Sequence, residues 1–294
     1  MAAEASASQP QEHTERRGML LACFAVLAFA TSPVFVLAAA PLSAFVITFG
    51  RMAVGAIWVI LLGRLYRQPI LPNRADRLLF VGIGLITALH FLSYIASLSF
   101  TTIAQSLAIV YTAPIFVALF SATMLHEPIS SRKWLGVVVT VAGIAILVGF
   151  QPQMDARMAF GDLLALVSAI TFGLYSVAGR SQRARYGLFT YTGTVYGMAA
   201  LWALPAAALT LQPAALTLKS VSAVVAAGLI PLGVGHTLYN AALRRTHATI
   251  VNLIATQEVT GGIVLGAIFL GQVPQASEIV GAVVALVGIA VVLI

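Results

Sequence analysis

Residues 135–147 read LGVVVTVAGIAIL, and residues 280–292 read VGAVVALVGIAVV. The two stretches lie 145 residues apart, are apolar except for one threonine, and each places two glycines seven residues apart. Such composition is typical of helices that cross a membrane. The pair therefore predicts a membrane protein that arose by internal duplication.

Two further regions repeat at nearly the same spacing. The segment Gly18–Phe29 matches Gly161–Phe172 at a spacing of 143, and His90 corresponds to His236 at 146. Small apolar residues coincide easily in helices that face lipid, so each match alone is weak. The agreement of three spacings is what favours a duplication.

The overall composition points to the same class. Of the 294 residues, 60% are hydrophobic and only 9% are charged, with a mean hydropathy of +0.99, whereas a soluble domain carries about 25% charged residues. Ten apolar segments are long enough to cross a bilayer. They lie near 19–39, 42–62, 78–98, 102–124, 132–150, 160–180, 190–210, 220–241, 248–270 and 276–294.

Ten segments in two repeats give five spans per repeat. An odd number places the second repeat upside down in the membrane relative to the first, an arrangement typical of transporters. The predicted organisation is a polar, disordered cytoplasmic tail at 1–17, a first five-helix repeat at 18–150 and a second at 151–294. The fold class is therefore an all-α membrane protein of ten transmembrane helices in two inverted repeats.

The basic side chains predict the orientation. With the N-terminus inside, the loops on the cytoplasmic side hold most of the 16 Lys and Arg residues, and the other side holds only Arg157 and Lys219. Both termini are thus expected in the cytoplasm, and the protein in the cytoplasmic (inner) membrane. The cytoplasmic set is Arg16, Arg17, Arg64, Arg67, Arg74, Arg77, Arg132, Lys133, Arg180, Arg183, Arg185, Arg244 and Arg245. The net charge of +7 is then a topology signal, and no nucleic-acid partner is expected.

Three common enzyme signatures are incomplete or missing in the sequence. His126-Glu127 lacks the second histidine of a zinc protease motif, and neither a Gly-x-x-x-x-Gly-Lys loop nor a Gly-x-Ser-x-Gly elbow occurs. The single cysteine, Cys23, excludes an intramolecular disulfide. We therefore expect no enzyme activity, no metal, no cofactor and no direct ATP coupling.

Two charged residues lie inside predicted spans and are the first candidates for a substrate site. Arg51 lies in the middle of span 2, where it either contacts a substrate carboxylate or serves as a structural clamp. Glu258 lies in the middle of span 9, where it meets a substrate ammonium, binds a coupling proton, or pairs with Arg51. The sequence leaves these alternatives open.

Polar and aromatic residues in the spans complete the candidate set. His90 and Tyr94 share one helix face at a spacing of four, and His236 with Tyr239 echoes them in the second repeat. For any one such residue, a hydrogen bond between helices is the simpler interpretation. As a set they predict a wet, aromatic interior. The remaining candidates are Tyr111, Asn252 and Tyr175.

Several stretches resemble the drug/metabolite transporter superfamily, and within it the EamA-type ten-helix exporters. They are Phe49–Met52 around Arg51, Ala104–Pro114, the turn Leu125–Pro128 and the glycines of 135–147, with second-repeat partners at 270–274 and 280–292. The resemblance implies a basket in which spans 1–4 and 6–9 surround a central cavity. His90, Tyr94 and Tyr111 further resemble the YddG-like amino-acid exporters.

The sequence departs from the superfamily at one point that concerns proton coupling. Its small proton-coupled multidrug members have a carboxylate inside the first helix, and spans 1 and 6 here have none, since Asp162 lies at a rim. The expected function is therefore export of small metabolites, amino acids first, by a monomer in the lipid bilayer. Other solutes (nucleobases, sugar derivatives or drug-like cations) are the alternative, and an intramembrane enzyme or receptor is more remote.

Overall fold

The computed structural model describes residues 2–149, 155–261 and 275–293, and within these ranges it is helical and contains no strand. Short 3-10 turns, Arg74–Asp76 and Pro213–Ala215, and a π-helical segment, Gly228–His236, join the α-helices. The α-helices are α1 (Ala2–Phe29), α2 (Ser32–Ala38), α3 (Ala44–Leu65), α4 (Arg77–Ser97), α5 (Ile103–Val110), α6 (Ala113–Met124), α7 (Ser131–Val148), α8 (Ala156–Ser181), α9 (Leu188–Thr210), α10 (Leu218–Ala227), α11 (Thr237–Leu243), α12 (Ala248–Ala255) and α13 (Ala276–Leu293).

Seven helical segments in the described residues are long and apolar enough to cross a membrane. They coincide with predicted spans 1–4 and 6–8. Helices α7 and α13 overlap predicted spans 5 and 10. Predicted span 9 begins with α12, and its second part lies outside the described residues. The predicted repeat boundary at 150/151 and the motif at 270–274 also lie outside them. The seven segments are 13–38, 44–65, 74–97, 105–124, 156–181, 188–210 and 218–243.

The N-terminal segment differs from its prediction. Helix α1 begins at Ala2, so that residues 2–17, expected to form a disordered tail, continue the first span as a helix. This segment contains four alanines and three glutamates, which are strong helix formers, and one proline, Pro10, which opposes the helix. A polar segment next to a formed helix adds turns without a new nucleation step.

The two repeats share a helix break at corresponding positions. Helix α5 has eight residues and ends at a two-residue turn, 111–112, before α6 begins. Helix α12 also has eight residues and ends at the turn 256–257, after which the chain is helical again. The two breaks are 145 residues apart, the same spacing as the repeated stretch. Interrupted spans of this kind expose backbone groups and occur where transporters bind their ligands.

The repeated stretch itself forms one helix pair. A Cβ atom on Gly136 would lie 2.6 Å from the carbonyl oxygen of Gly288, and one on Gly143 would lie 2.8 Å from that of Gly281. The reciprocal pairs are equally close, so α7 and α13 run antiparallel and touch through backbone. The glycines are needed because any side chain would separate the helices.

Contacts between the other helices also run from one repeat to the other. Helix α3 packs on α9, α6 on α12, α4 on α8 and α1 on α11. Exchanging the repeats converts the α1–α11 contact into the α8–α4 contact and leaves the α3–α9 contact unchanged. The counterpart of α6 is 258–269, mostly outside the described residues, so the α6–α12 contact has no described counterpart. The other three contacts agree with a two-fold relation between the halves.

Candidate functional site

A small cavity of about 30 Å³ lies between the two repeats. It is bounded by the α1–α2 junction, the middle of α3 and α4, both helix breaks, α8 and the end of the π-helical segment. Its walls combine seven aromatic or imidazole rings with one arginine and one glutamate. The lining residues are Phe29, Ser32, Arg51, His90, Phe91, Tyr94, Leu107, Val110, Tyr111, Phe172, His236, Ala255 and Glu258.

Arg51 supplies the positive charge of the cavity. Its side chain is 1% exposed, its Nη1 donates to Ser32 Oγ at 3.0 Å, and its guanidinium carbon lies 4.7 Å above the centre of the Phe91 ring. Nε has no hydrogen-bond partner among the described residues. The serine and the ring orient the guanidinium without neutralising it.

Glu258 supplies the one carboxyl group among the lining residues. The Tyr111 hydroxyl donates a hydrogen bond to its Oε2. Tyr111 is the first residue of the break after α5, and Glu258 directly follows the break after α12, so the two interruptions meet here. Arg51 and Glu258, both described, border the same cavity without forming an ion pair.

The two symmetry-related histidines stand side by side. His90 stacks on Phe172 with centroids 4.6 Å apart, and its Nδ1 lies 3.1 Å from the Ser168 carbonyl oxygen. His236 packs against Phe29 at 4.4 Å, and its Nδ1 has no partner in the described part of the chain. Their ring centroids are 6.4 Å apart. The Ser168 carbonyl and the Phe172 ring thus hold the His90 imidazole in place, whereas Nδ1 of His236 has no hydrogen-bond partner among the described residues.

The structure brings six of the nine predicted site residues to the cavity wall: Arg51, His90, Tyr94, Tyr111, His236 and Glu258. The other three lie in an adjacent buried layer, which we call the inner polar layer and define as Tyr175, Ser176, Tyr239, Asn240, Asn252 and Thr256. Within it, Asn240 donates to the Tyr175 hydroxyl at 2.5 Å and Asn252 donates to the Tyr239 hydroxyl at 3.1 Å. The Tyr239 and Ser176 hydroxyls are 2.6 Å apart.

Sequence reasoning missed several parts of the cavity wall. Phe29 and Phe172 were matched to each other as a repeat pair, and that match was the available signal for them. Ser32, which binds Arg51, directly precedes a proline within the first span, where a helix interruption frees polar groups. Nothing in the sequence singles out Phe91.

Beyond the inner polar layer lies a charged group, the Glu127 cluster, defined as Glu127, Arg180, Arg183 and His247. Arg180 Nη2 is 2.9 Å and Arg183 Nη1 is 3.8 Å from Glu127 Oε1, and His247 Nδ1 is 3.3 Å from Oε2. Burial alone would raise the pKa of Glu127, but hydrogen bonds and charge from His247 and Arg180 outweigh it and lower this pKa to about 2. The cluster joins the turn before α7 to the second repeat.

A second polar contact joins the repeats at the same end. The Tyr186 hydroxyl donates to Asp76, and Arg185 Nη2 lies 3.1 Å from the same carboxylate. Both groups of contacts involve loops that are rich in arginine. In the described residues, no group of three or more His, Cys, Asp or Glu side chains has the geometry of a metal site.

A multi-pass helical membrane protein with a polar, aromatic cavity between two repeats has the form of a small-molecule transporter. The model of the EamA-like transporter family matches residues 16–149 and 159–294. The chain belongs to that family.

Similar proteins include two whose names state a cargo. The aromatic amino acid exporter YddG of Ancylobacter novellus is 27% identical over 182 residues, 59% of this chain and 61% of that protein. A probable terminal-alkyne amino-acid exporter of Streptantibioticus cattleyicolor is 25% identical over 185 residues, 60% of this chain and 59% of that protein.

The uncharacterized transporter YoaV of Bacillus subtilis is 25% identical over 134 residues, 45% of this chain and 46% of that protein. The chain thus aligns with less than two thirds of the length of these three relatives. A solved crystal structure superposes with a TM-score of 0.80 at 20% identity, covering 94% of this chain and 96% of that one, which shows the fold.

Proposed function

We propose that this protein is a secondary transporter that exports small metabolites, with amino acids as the first choice, across the cytoplasmic membrane. The observation that carries the proposal is a single cavity bordered by Arg51 and Glu258, which do not pair with each other. Buried opposite charges that stay apart favour a ligand that brings both signs. An amino acid is the smallest common metabolite that does so.

The geometry suggests how an amino acid would lie. Its carboxylate would take the unused donors of Arg51, including Nε. Its ammonium would meet Glu258, whose other partner is the Tyr111 hydroxyl. Its side chain would then face Phe91 and Phe172, which suits an apolar or aromatic group. The cavity of about 30 Å³ holds only about one or two water molecules in this conformation, so an amino acid requires the cavity to widen.

For the mechanism we propose alternating access by two inverted five-helix repeats, ten spans in all. Three observations support it: the antiparallel glycine contact of α7 and α13, the exchange symmetry of the helix contacts, and the corresponding helix breaks. The distribution of Lys and Arg supports cytoplasmic termini. Both repeats lie in one chain, so a monomer suffices to form the pair.

The test is flux into proteoliposomes for a panel of labelled amino acids, with and without an imposed pH gradient. Saturable flux of amino acids with apolar or aromatic side chains supports the proposal. Dependence on the gradient would indicate a coupling proton, with Glu258 or His90 as its candidate site. If no amino acid moves faster than in empty liposomes, the substrate proposal falls, and nucleobases, sugar derivatives and cations are tested next.

Matched variants make the flux assay specific for the cavity. Glu258→Gln removes the negative charge at nearly constant size, and we expect it to abolish amino-acid flux. Asp155→Asn removes a carboxylate from the N-cap of α8, outside the cavity, where an amide caps equally well. Equal flux losses in both variants would argue that Glu258 acts through stability and not through the substrate.

A further inference from the structure

The residues that line the cavity do not come equally from the two repeats. Some positions line it in both: Phe29 and Phe172, His90 and His236, and Val110 and Ala255 correspond at the repeat spacings of 143, 146 and 145. These pairs border the cavity together, as residues close to a pseudo-two-fold axis would.

Six other positions line the cavity in the first repeat only, and two of them are Arg51 and Phe91. The remaining four are Ser32, Tyr94, Leu107 and Tyr111, and the same spacings assign them the counterparts Tyr175, Asn240, Asn252 and Thr256. All four counterparts are 2% exposed or less. All four belong to the inner polar layer, so the counterpart of the open half of the cavity is a closed, polar part of the protein.

The inner polar layer is incompletely hydrogen-bonded. The Oδ1 atoms of Asn240 and Asn252 are buried and have no partner among the described residues. A buried acceptor without a donor costs free energy that a bound donor would recover. Two such acceptors in one layer are able to accept hydrogen bonds from a ligand with N–H groups.

Along the helices, the layer lies between the cavity and the Glu127 cluster. On α8 the order is Phe172 at the cavity, Tyr175 in the layer and then Arg180 in the cluster. The Nη1 of Arg180 also donates to the Leu243 carbonyl oxygen at 3.1 Å, which ties α8 to the end of α11. The Glu127 cluster therefore closes the layer at the arginine-rich end.

We propose that Tyr175, Asn240, Asn252 and Thr256 form a second substrate surface, which opens toward the arginine-rich end when the two repeats exchange conformations. The inference rests on the proposed alternating-access transport. By the spacing of 144 that relates the N-caps Ser43 and Gly187, the counterpart of Arg51 is Val195. The second surface thus has no guanidinium and binds the amino acid through amides and hydroxyls.

The experiment uses single cysteines in a Cys23→Ser background, since Cys23 is the only cysteine in the chain. Asn252→Cys reports the inner polar layer, and Leu107→Cys reports its symmetry counterpart in the cavity. Val137→Cys, at a fully buried position in α7, is the control for a closed interior. Membrane vesicles of both orientations are treated with a membrane-impermeant maleimide, with and without L-phenylalanine, and flux is measured in the same vesicles.

We expect Asn252→Cys to react from the arginine-rich side at least about tenfold faster than Val137→Cys, because a minor open state is enough to give reactivity. Leu107→Cys should react from the opposite side, and L-phenylalanine should protect both cysteines. Thr256→Cys replaces Asn252→Cys if that variant fails to reach the membrane.

The inference is overturned if Asn252→Cys is as unreactive as Val137→Cys from the arginine-rich side, or reacts only from the other side, whether or not the vesicles transport. Reactivity from the arginine-rich side without amino-acid flux supports the second surface and counts against the proposed cargo. The two proposals therefore fail separately.

Discussion

Replacing Glu127 with glutamine should open the arginine-rich end of the protein. The substitution keeps the shape of the side chain and removes the charge that pairs with Arg180, which is 8% exposed. Arg180 would then remain buried in the closed state without its counter-ion. Any state in which the loops separate and Arg180 reaches water would be favoured.

The size of the effect follows from the pKa of Glu127. Its surroundings lower that pKa from 4.5 to about 2, and each pKa unit corresponds to ~1.4 kcal/mol. For a fully buried carboxylate, this pKa shift would correspond to ~3.5 kcal/mol of stabilisation of the closed state. The Glu127 carboxylate is partly exposed and water screens its charge, so we take its contribution as ~1.5 kcal/mol. That free energy corresponds to roughly a tenfold change in the ratio of open to closed states.

The assay is the initial rate at which a membrane-impermeant maleimide reacts with Asn252→Cys in inside-out vesicles, in the Cys23→Ser background. The rate should rise about tenfold when Glu127→Gln is added. Asp155→Asn, a matched neutralisation at the N-cap of α8, should leave the rate unchanged. An unchanged or lower rate in Glu127→Gln, or an equal rise in Asp155→Asn, would refute the assignment of the Glu127 cluster as the closure.

Three further predictions follow from the cavity, the cluster and the glycine contact. Arg51→Lys should reduce amino-acid flux ~10- to 100-fold because an ammonium lacks the planar pair of donors, while Glu258→Gln should abolish flux; proteoliposome uptake checks both. Because its pKa is lowered, Glu127 stabilises the fold fully above about pH 5 and progressively less toward pH 2. The difference in melting temperature between wild type and Glu127→Gln should therefore become smaller as the pH falls from about 5 to 2. A difference that stays constant over this range would contradict the prediction. Gly281→Ala should destabilise the protein by ~1–3 kcal/mol, because its Cβ would lie 2.4 Å or less from backbone atoms of the facing helix, whereas Gly82→Ala, with open space around it, should not lower the unfolding midpoint.

The sequence predicts the helices and the family well because both depend on local pattern. A bilayer demands long apolar segments, and seven of the predicted spans coincide with helices of the structure. The glycines that repeat in 135–147 and 280–292 are the residues at which α7 and α13 touch. The same glycines thus indicate the duplication and allow the two helices to pack closely.

Part of the candidate site was not predictable from the sequence. Tyr175 and Tyr239 were grouped with the cavity residues because they are polar and lie inside spans, but depth along a helix decides which layer a residue joins. That depth depends on how α8 and α11 are placed against the other repeat, and periodicity carries no information about it. The pairing of Glu127 with Arg180 joins the turn before α7 to the last turn of α8, and the sequence pattern does not predict it.

The arrangement of charges in the cavity is the strongest physical argument for a zwitterionic ligand. A direct ion pair between Arg51 and Glu258 would satisfy both groups and leave no electrostatic reason for a ligand to enter. Instead each charge has a neutral hydrogen-bond partner, Ser32 for the guanidinium and Tyr111 for the carboxylate. Such partners lower the cost of burying the charges and leave their signs exposed to the cavity. Because both partners lie at interruptions in their spans, a movement of the repeats that reshapes these breaks would alter both contacts to the substrate together.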